Sequence, residues 1–396
     1  MSGLGDAVGV PRYAWYSDEA CYWHDPGLGV GFLPVGPDIQ PLREFGSDPD
    51  LRRAEGLLRK NNILDYYHCQ RPCPATDAEL LLAHSPGHIA HIEALAANGG
   101  GEAGIYAPIG FHSALAARTA AGACVQAVTE VLAGTFQRAY CFIRPPGHHA
   151  ERDRAIGFCI YNNLGIAAHA ALLQGVQRVL ILDWDVHHGN GIQSLFYDDP
   201  RVLFISIHQE GLFPPLSGTL RDVGDGEGLG TTINVPLPAG SGHDAYLAVM
   251  NQVVTTAASA FRPELILVAA GLDLSAHDPM GRQMCTSQTL RLMTQHICRL
   301  ADDLCDGRIV FAHEGGYSSW YLPILVRAVA AAIVNLPEQA DPFLHALANL
   351  PGQRLQKHQQ RRIEQVCDIH RAHLLAAASD PRSLLQASEV SSRWSP

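Results

Sequence analysis

Four short polar segments of this sequence carry residue types that catalysis uses. Each of them directly follows an apolar run of the kind that forms a buried strand. The segments are Arg144-Pro145-Pro146-Gly147-His148-His149, Asp183-Trp184-Asp185-Val186-His187-His188, Gly271-Leu272-Asp273 and His313-Glu314-Gly315-Gly316-Tyr317. In an open parallel sheet, ligands bind beyond the carboxyl ends of the strands. We therefore expect the four segments to converge on one site that contains carboxylates, imidazoles and a phenol.

Asp185 and His187 are candidate ligands of a catalytic metal ion. They stand two positions apart, so in an extended segment their side chains project on the same side, and Asp273 can add a third ligand from another strand end. Three protein ligands leave a coordination position open for water and substrate, which is the pattern of a catalytic site. Zinc is the first expectation, although ferrous iron, cobalt and manganese also accept this ligand set.

The adjacent His148 and His149 are candidates for proton transfer. A histidine near its ordinary pKa can take a proton from water and pass it to a leaving amine. Asp183 and Asn190 are candidates to hold the two rings through their second nitrogens. The carboxylate favours the protonated form of its partner, and the neutral amide does so much less. Alone, such a pair is more often a surface feature, so it is the joint presence of these groups that predicts a site.

The elements that must position these residues alternate between strands and helices. Short β-type runs are predicted at Ala139 to Ile143, Arg178 to Asp185, Val202 to Ile207, Leu265 to Ala270 and Arg308 to Ala312. Helical periodicity covers Ser113 to Leu132 and Leu164 to Leu173, and the first third of the chain is predicted to be mainly helical and loop-rich. Continuous apolar runs are typical of strands that are covered on both faces. The pattern therefore predicts an α/β fold with a parallel sheet flanked by helices.

Composition narrows the class of protein. We predict one catalytic domain over residues 1–375 and a polar tail over residues 376–396 of the 396-residue chain. The formal charge of −11 gives no basic surface for nucleic acid, and no segment has the length and hydropathy of a membrane span. Ten cysteines are scattered singly, which suits a reducing cytoplasm better than a disulfide scaffold. We expect a cytoplasmic enzyme that binds neither nucleic acid nor membrane.

The sequence resembles the histone deacetylase and acetylpolyamine amidohydrolase family, and within it the bacterial class II-like histone deacetylase-like amidohydrolases. The resemblance runs from about Asp18 to Val334. The matching strings are Arg144 to His149, Gly157-Phe158-Cys159, Asp183 to Gly189, Asp273 with Asp278-Pro279, and Glu314 to Tyr317. It implies a single α/β domain with an eight-stranded parallel sheet, the arginase-deacetylase fold. It further implies one Zn²⁺ per chain, with Fe²⁺ or Co²⁺ as substitutes and K⁺ as a candidate structural ion.

The resemblance also implies a role for each site residue. Zinc would be bound by Asp185, His187 and Asp273, and it would activate a water molecule for attack on an acyl amide. His149 would be the general base and acid, while His148, paired with Asp183, would give electrostatic support. Tyr317 would donate its hydroxyl to the substrate carbonyl. The predicted substrate-binding residues are Gly157, Phe158, Phe213, Met280 and Tyr106.

Three departures from the family pattern concern Asn190, the N-terminal region and Tyr106. Asn190 replaces the aspartate of many eukaryotic class I members, and the usual His-Pro-Glu-Arg signature near the N-terminus is absent. Tyr106 stands where peptide-deacetylating relatives place an aspartate that holds the substrate backbone. The sequence therefore predicts hydrolysis, but it lacks at position 106 the residue that peptide-deacetylating relatives use to hold the substrate backbone.

Several functions and partners stay open from sequence. The expected substrate is a small acylated amine or an acyl-lysine peptide, and the chain is a candidate homo-oligomer. An acetylpolyamine or other small-molecule amidohydrolase or esterase would use the same residues. A binuclear manganese ureohydrolase would need further ligands that the quoted strings do not supply. A non-catalytic binding protein would usually lack a ligand or the tyrosine.

Overall fold

An eight-stranded parallel sheet lies at the centre of the protein. The computed structural model describes residues 12–378, apart from positions 31–32, 35–36, 38–41 and 44–47. The strands are β1 (Tyr13–Tyr16), β2 (His68–Gln70), β3 (Arg138–Cys141), β4 (Val179–Asp183), β5 (Val202–Gln209), β6 (Thr232–Leu237), β7 (Leu265–Ala270) and β8 (Ile309–His313). Their order across the sheet is β6-β5-β4-β7-β8-β3-β1-β2, and every neighbouring pair is parallel.

Both faces of the sheet are buried, which explains the continuous apolar runs. Along β4, Leu180 and Leu182 belong to one hydrophobic core, and Val179 and Ile181 belong to the other. Successive side chains of a strand point to opposite faces, so a strand between two helical layers needs apolar residues at every position. All five residues of β4 are buried accordingly.

Helices cover the two faces. They are α1 (Glu19–Tyr22), α2 (Asp48–Lys60), α3 (Asp77–Leu80), α4 (Pro86–Ala97), α5 (Ser113–Leu132), α6 (Asn163–Leu173), α7 (Asn190–Phe196), α8 (His243–Val249), α9 (Thr255–Phe261), α10 (Ser287–Cys305), α11 (Leu322–Ile333), α12 (Leu344–Ala348) and α13 (Lys357–Ala378). Helices α5 and α6 pack together on one face, and α10, α11 and α2 pack on the other. No helix among the described residues is long and apolar enough to cross a membrane.

Shorter elements complete the description. The remaining strands are Leu28–Val30, Leu33–Pro34, Leu42–Arg43, Gly100–Glu102, Gly104–Ile105, Pro108–Gly110 and Ala155–Ile156. Short 3-10 helices cover Leu64–Tyr66, Gly226–Gly228 and Pro351–Gln353, and a π-helical turn over Met250–Val254 joins α8 to α9.

The predicted fold class is confirmed: one eight-stranded parallel sheet with flanking helices. Helix α5 and strand β7 have the predicted bounds, and the other predicted strands differ by one or two residues at one or both ends. Strands β1, β2 and β6 were not predicted. Strands β1 and β2 lie in the first third of the chain, which was expected to be mainly helical and loop-rich. Both are short, and β2 lies at the sheet edge with a largely exposed sequence, so neither shows a long apolar run. The predicted domain boundary at residue 375 falls inside α13, and residues 379–396 of the predicted tail lie outside the described residues.

The sheet order explains how the four polar segments meet. They follow strands β3, β4, β7 and β8, and these strands are the four neighbours β4-β7-β8-β3 in the middle of the sheet. Parallel strands end at the same edge, so all four segments emerge side by side.

Candidate active site

Asp185, His187 and Asp273 form one compact cluster at this edge of the sheet. Their potential ligand atoms all lie within 4.8 Å of one another. Nδ1 of His187 lies 3.0 Å from Oδ1 of Asp185 and 3.1 Å from Oδ2 of Asp273. The two aspartates are fully buried, and His187 is nearly so. The structure thus brings together the three residues that the sequence analysis proposed as metal ligands.

The cluster has the chemistry that a cation site requires. Oδ2 of Asp273 is buried and receives no hydrogen bond of good geometry from the described residues. Burial and the neighbouring Asp185 carboxylate raise the pKa of Asp273 to about 6. Burial opposes protonation of His187, but the nearby carboxylates of Asp185 and Asp273 outweigh it and raise the pKa of His187 to about 10. Two buried carboxylates therefore favour a positive charge where the three ligand atoms converge.

Two glycines leave the room that this cluster needs. A Cβ atom at Gly315 would lie 2.2 Å from Oδ2 of Asp273 and 2.7 Å from Oδ2 of Asp185. A Cβ atom at Gly271 would lie 2.2 Å from Oδ2 of Asp185. The backbone N–H of Gly315 also donates to Oδ2 of Asp185 at 2.8 Å. The absence of side chains at both positions lets the strand ends approach the carboxylates closely.

The two tandem histidines lie beside this cluster, and each ring is held through Nδ1. His148 contacts Oδ2 of Asp183 at 3.0 Å, and His149 contacts Oδ1 of Asn190 at 2.8 Å. Both histidines are buried, and their ring centroids are 3.9 Å apart. Since Nδ1 is occupied in each case, the nitrogen left for chemistry is Nε2.

The two histidines differ in proton affinity. Burial opposes protonation of His148, but the carboxylates of Asp185 and Asp183 outweigh it and raise its pKa to about 10. The pKa of His149 lies well below its ordinary value because of burial and the positive charges of His148 and His187. His148 thus favours the charged form, and His149 favours the neutral form that can accept a proton.

Glu314 fixes the loop that carries the histidines. Its Oε2 accepts hydrogen bonds from the backbone N–H groups of Gly147 at 2.6 Å and His148 at 3.2 Å. His188 and His208 are likewise engaged in hydrogen bonds, the former with Ser217 and Gln193. These hydrogen bonds give Glu314, His188 and His208 structural roles around the site.

Tyr317 closes the other side of the site. Its backbone N–H donates to Oδ2 of Asp278 at 2.7 Å, and Oδ1 of the same carboxylate accepts from the N–H of Met280 at 2.8 Å. Asp278 therefore links the strand end that carries Tyr317 to the loop that carries Met280. Burial and the charges of Asp273 and Asp185 raise the pKa of Tyr317 well above its ordinary value, so its hydroxyl remains a donor.

A cavity of about 200 Å³ leads to the cluster. Its lining consists of Tyr106, His149, Gly157, Phe158, His187, Leu212, Phe213, Met280 and Tyr317. All five predicted substrate-binding residues thus lie in one cavity together with His149, His187 and Tyr317. Leu212 was missed, because a leucine beside an aromatic residue gives no signal that separates a cavity wall from the core.

Aromatic rings form part of this lining, beside His149 and beside Tyr317. The Phe213 ring lies edge-on to His149 with centroids 5.1 Å apart, and the Phe158 ring lies 6.1 Å from that of Tyr317. A Cβ atom at Gly157 would come within 2.6 Å of the His149 ring, so only glycine fits there. Tyr106 is 38% exposed at the cavity mouth, and its carbonyl accepts from the N–H of Phe158 at 2.8 Å.

Comparison with known proteins gives a consistent result. The family model of the histone deacetylase domain matches residues 50–333. A histone deacetylase-like amidohydrolase from Pseudomonas aeruginosa is 40% identical over 361 residues, covering 90% of this chain and 95% of that protein. The human polyamine deacetylase HDAC10 is 40% identical over 333 residues, covering 78% of this chain and 48% of the relative. The crystal structure of the HDA15 HD domain matches with a TM-score of 0.81 and 28% identity, over 94% of this chain and 98% of that one.

Proposed function

This chain belongs to the histone deacetylase family, whose members are metal-dependent deacetylases and amidohydrolases, and on that premise we propose that it is a zinc-dependent enzyme that removes acetyl or another short acyl group from an acyl-lysine type of amine. The observation that carries the proposal is the cluster of Asp185, His187 and Asp273 beside His149 and Tyr317 in one cavity. Sequence similarity alone would support the family, but the joint geometry supports hydrolysis.

Asp185, His187 and Asp273 would hold one zinc ion per chain. Bound there, zinc would supply Lewis acidity that polarises the acyl carbonyl and activates water. The buried Oδ2 of Asp273, which lacks a hydrogen bond of good geometry from the described residues, supports this assignment. The mixed nitrogen and oxygen ligands would also accept Fe²⁺ or Co²⁺. Potassium as a structural ion and a homo-oligomeric state stay predictions.

His149 would carry the proton transfers. Its Nδ1 is engaged by Asn190, so Nε2 is the atom that would take a proton from the attacking water and later give it to the leaving amine. His148 would stay protonated beside Asp183 and add positive charge near the developing oxyanion. Tyr317, whose hydroxyl keeps its proton, would donate a hydrogen bond to the same oxygen.

The cavity supports a substrate with a slender apolar stem. Phe158, Phe213, Leu212 and Met280 give it apolar walls, and none of the described residues that line it carries a carboxylate. An acyl-lysine presents a neutral butyl stem, which suits such walls, whereas a polyamine chain carries a further ammonium group that needs an acidic partner. A second cavity of only about 30 Å³ adjoins Phe158 and Tyr317, which supports short acyl groups.

Acetylpolyamine hydrolysis is the second candidate function. It is favoured by the 40% identity to a polyamine deacetylase and by the net charge of −11, which attracts cations at low ionic strength. The two candidate functions can be separated by measuring kcat/KM side by side on zinc-loaded protein. The substrates are an acetyl-lysine peptide, a monoacetylated polyamine and a small acetate ester. A preference for the polyamine would reverse the substrate assignment, and no turnover of any of the three would overturn the proposed activity.

The remaining assignments are also proposals. We propose that residues 1–375 act as the single catalytic domain and that residues 376–396 form a tail. We place the enzyme in the cytoplasm, a proposal that the ten unpaired cysteines support.

A further inference from the structure

The hydrogen bonds around His149 continue through Asn190 to an acidic side chain at the protein surface. Nδ2 of Asn190 donates to Oε1 of Glu151 at 2.9 Å, while Oδ1 of Asn190 faces Nδ1 of His149 at 2.8 Å. We propose that Glu151 is a positioning residue that fixes the orientation of the Asn190 amide and thereby keeps Nε2 of His149 free to accept a proton. This inference rests on the proposed function, in which His149 transfers protons.

The reasoning starts from the two ends of an amide. A side-chain amide has nearly the same shape whether it presents oxygen or NH₂ to a neighbour. If Asn190 presents oxygen, Nδ1 of His149 must carry the hydrogen, and Nε2 is left with a free electron pair. If the amide turns over, Nδ1 must accept, and Nε2 carries the hydrogen instead. The orientation of Asn190 therefore decides whether His149 can act as a base.

Glu151 selects the first orientation. An ionised carboxylate only accepts hydrogen bonds, so it requires the NH₂ end of Asn190 on its side. The carbonyl of His149 also accepts from Nδ2 of Asn190, but at 3.3 Å, so the bond to Glu151 is the shorter one and the one made to a charge. Turning the amide over would place its oxygen against two acceptors.

Glu151 is itself held from several sides. Its Oε2 accepts from Arg154 at 2.6 Å, and the backbones of these two residues pair across a tight turn. Its carbonyl lies 3.0 Å from Nδ1 of His84, while Nε2 of His84 accepts from the backbone N–H of Asn162 at 2.8 Å. Because Nε2 must accept, Nδ1 of His84 carries the hydrogen and donates to Glu151. Burial lowers the pKa of His84 to about 3, which keeps this tautomer neutral.

The negative charge of Glu151 lies one hydrogen bond farther from His149 than the charge of an aspartate at position 190 would lie. With Asn at position 190, the carboxylate lies on Glu151 and reaches His149 only through a neutral amide. An aspartate at position 190 needs no orientation, because both of its oxygens accept. It would also place two carboxylates about 2.9 Å apart, judged from the present contact. Asn190 and Glu151 therefore depend on each other.

The test compares substitutions of Glu151 in two backgrounds. Glu151 borders a surface cavity with Arg152 and Ser194, so Glu151→Ala would admit a water molecule that replaces the acceptor. Glu151→Leu fills that space without an acceptor and should lower kcat by about 10- to 100-fold, the worth of one hydrogen bond to a charged group. KM should change little, since Glu151 does not line the substrate cavity. Glu151→Gln keeps an acceptor oxygen and should stay within about threefold of wild type.

The decisive measurement repeats Glu151→Leu in Asn190→Asp protein. There the amide is gone and the carboxylates repel each other, so removing Glu151 should raise kcat where it lowered kcat before. A side chain that only stabilises the turn would lower kcat by a similar factor in both backgrounds, and that result would overturn the inference. An unchanged kcat for Glu151→Leu in the Asn190 background would also overturn it.

Controls separate this inference from the proposed function. Asp153→Leu removes an exposed carboxylate from the same turn and should leave kcat unchanged. Imidazole ¹⁵N shifts, assigned by comparison with His149→Ala, should show hydrogen on Nδ1 in wild type and a mixture of tautomers in Glu151→Leu. Wild-type activity in His149→Ala would reject the role of His149 itself. Inactive His149→Ala together with unchanged Glu151→Leu would reject only the role of Glu151.

Discussion

Replacing Gly315 with alanine should destroy metal binding while leaving the fold intact. The added Cβ atom would lie 2.2 Å from Oδ2 of Asp273, where nonbonded contacts do not fall below 3.0 Å. That oxygen would have to retreat by about 0.8 Å, whereas metal–ligand distances tolerate about ±0.2 Å. Removing a residue that hydrogen-bonds to a metal ligand typically lowers metal affinity by roughly 10- to 100-fold. Displacing a ligand itself should lower zinc affinity by at least that factor.

The backbone at position 315 does not oppose the substitution. The φ angle of Gly315 is not positive, so alanine can adopt the same backbone conformation. Zinc affinity measured by competition with a chelator, together with zinc content per chain, gives the result directly. Zinc should raise the thermal unfolding midpoint of wild type but not that of Gly315→Ala, because only a bound ligand stabilises the native state.

A matched control uses a glycine with free space around it. Gly56 lies exposed in α2, and a Cβ atom there would meet nothing within 4 Å. Gly56→Ala should keep zinc affinity and stabilise the protein by about 0.5 to 1 kcal/mol, because alanine favours a helix. If Gly315→Ala binds one zinc per chain with wild-type affinity, the carboxylate oxygens beside it are not ligands and the proposed metal site is wrong.

Five other substitutions test the site. Asp185→Ala should lose metal and nearly all activity, because an open three-ligand site has no spare ligand, and full metal occupancy would remove Asp185 from the ligand set. Tyr317→Phe should keep the metal but lower kcat by about 10²- to 10³-fold, and a loss confined to KM would mean that Tyr317 only binds substrate. His149→Ala should lower activity by about 10²- to 10⁴-fold. Asn190→Asp should raise the pKa of His149, because an anion favours the imidazolium. The acidic limb of the kcat/KM profile should therefore move to higher pH. Tyr106→Asp should raise kcat/KM for a long acetyl-lysine peptide over free acetyl-lysine by about 10- to 100-fold, and a wild type that already prefers the peptide a hundredfold would refute this reasoning.

The sequence predicted much of the site because its signals are local. Val179 to Leu182 is apolar at every position, which indicates a strand covered on both faces, and Asp183 and the residues after it mark the end of that strand. The same logic identified the segments that follow β3, β7 and β8. Residue type and spacing were therefore enough to name the candidate ligands and the histidines, whereas the role of Tyr317 came from the family resemblance.

Other features left no such local signal. β2 is three residues long and lies at the sheet edge, so it lacks the apolar run that identifies a buried strand. Leu212 is a cavity wall only because the loop that carries it folds over the site. Glu151 reads as one of several charged residues in a surface turn, and its contact with Asn190 spans 39 positions of the chain.

The sequence by itself thus determined the class of fold and the chemical groups available, because burial on both faces dictates composition position by position. Only the tertiary structure decided which groups act together. The order of strands across the sheet places β4 beside β7, and this brings Asp273 next to Asp185. Asp273 also accepts a hydrogen bond from the N–H of Val186, although 87 positions of the chain separate these two residues. Hydrogen-bond partners far apart in the chain fix the orientation of Asn190, and no local propensity encodes that contact. Distances between strand ends depend on how the whole sheet packs, which residue type and spacing do not specify.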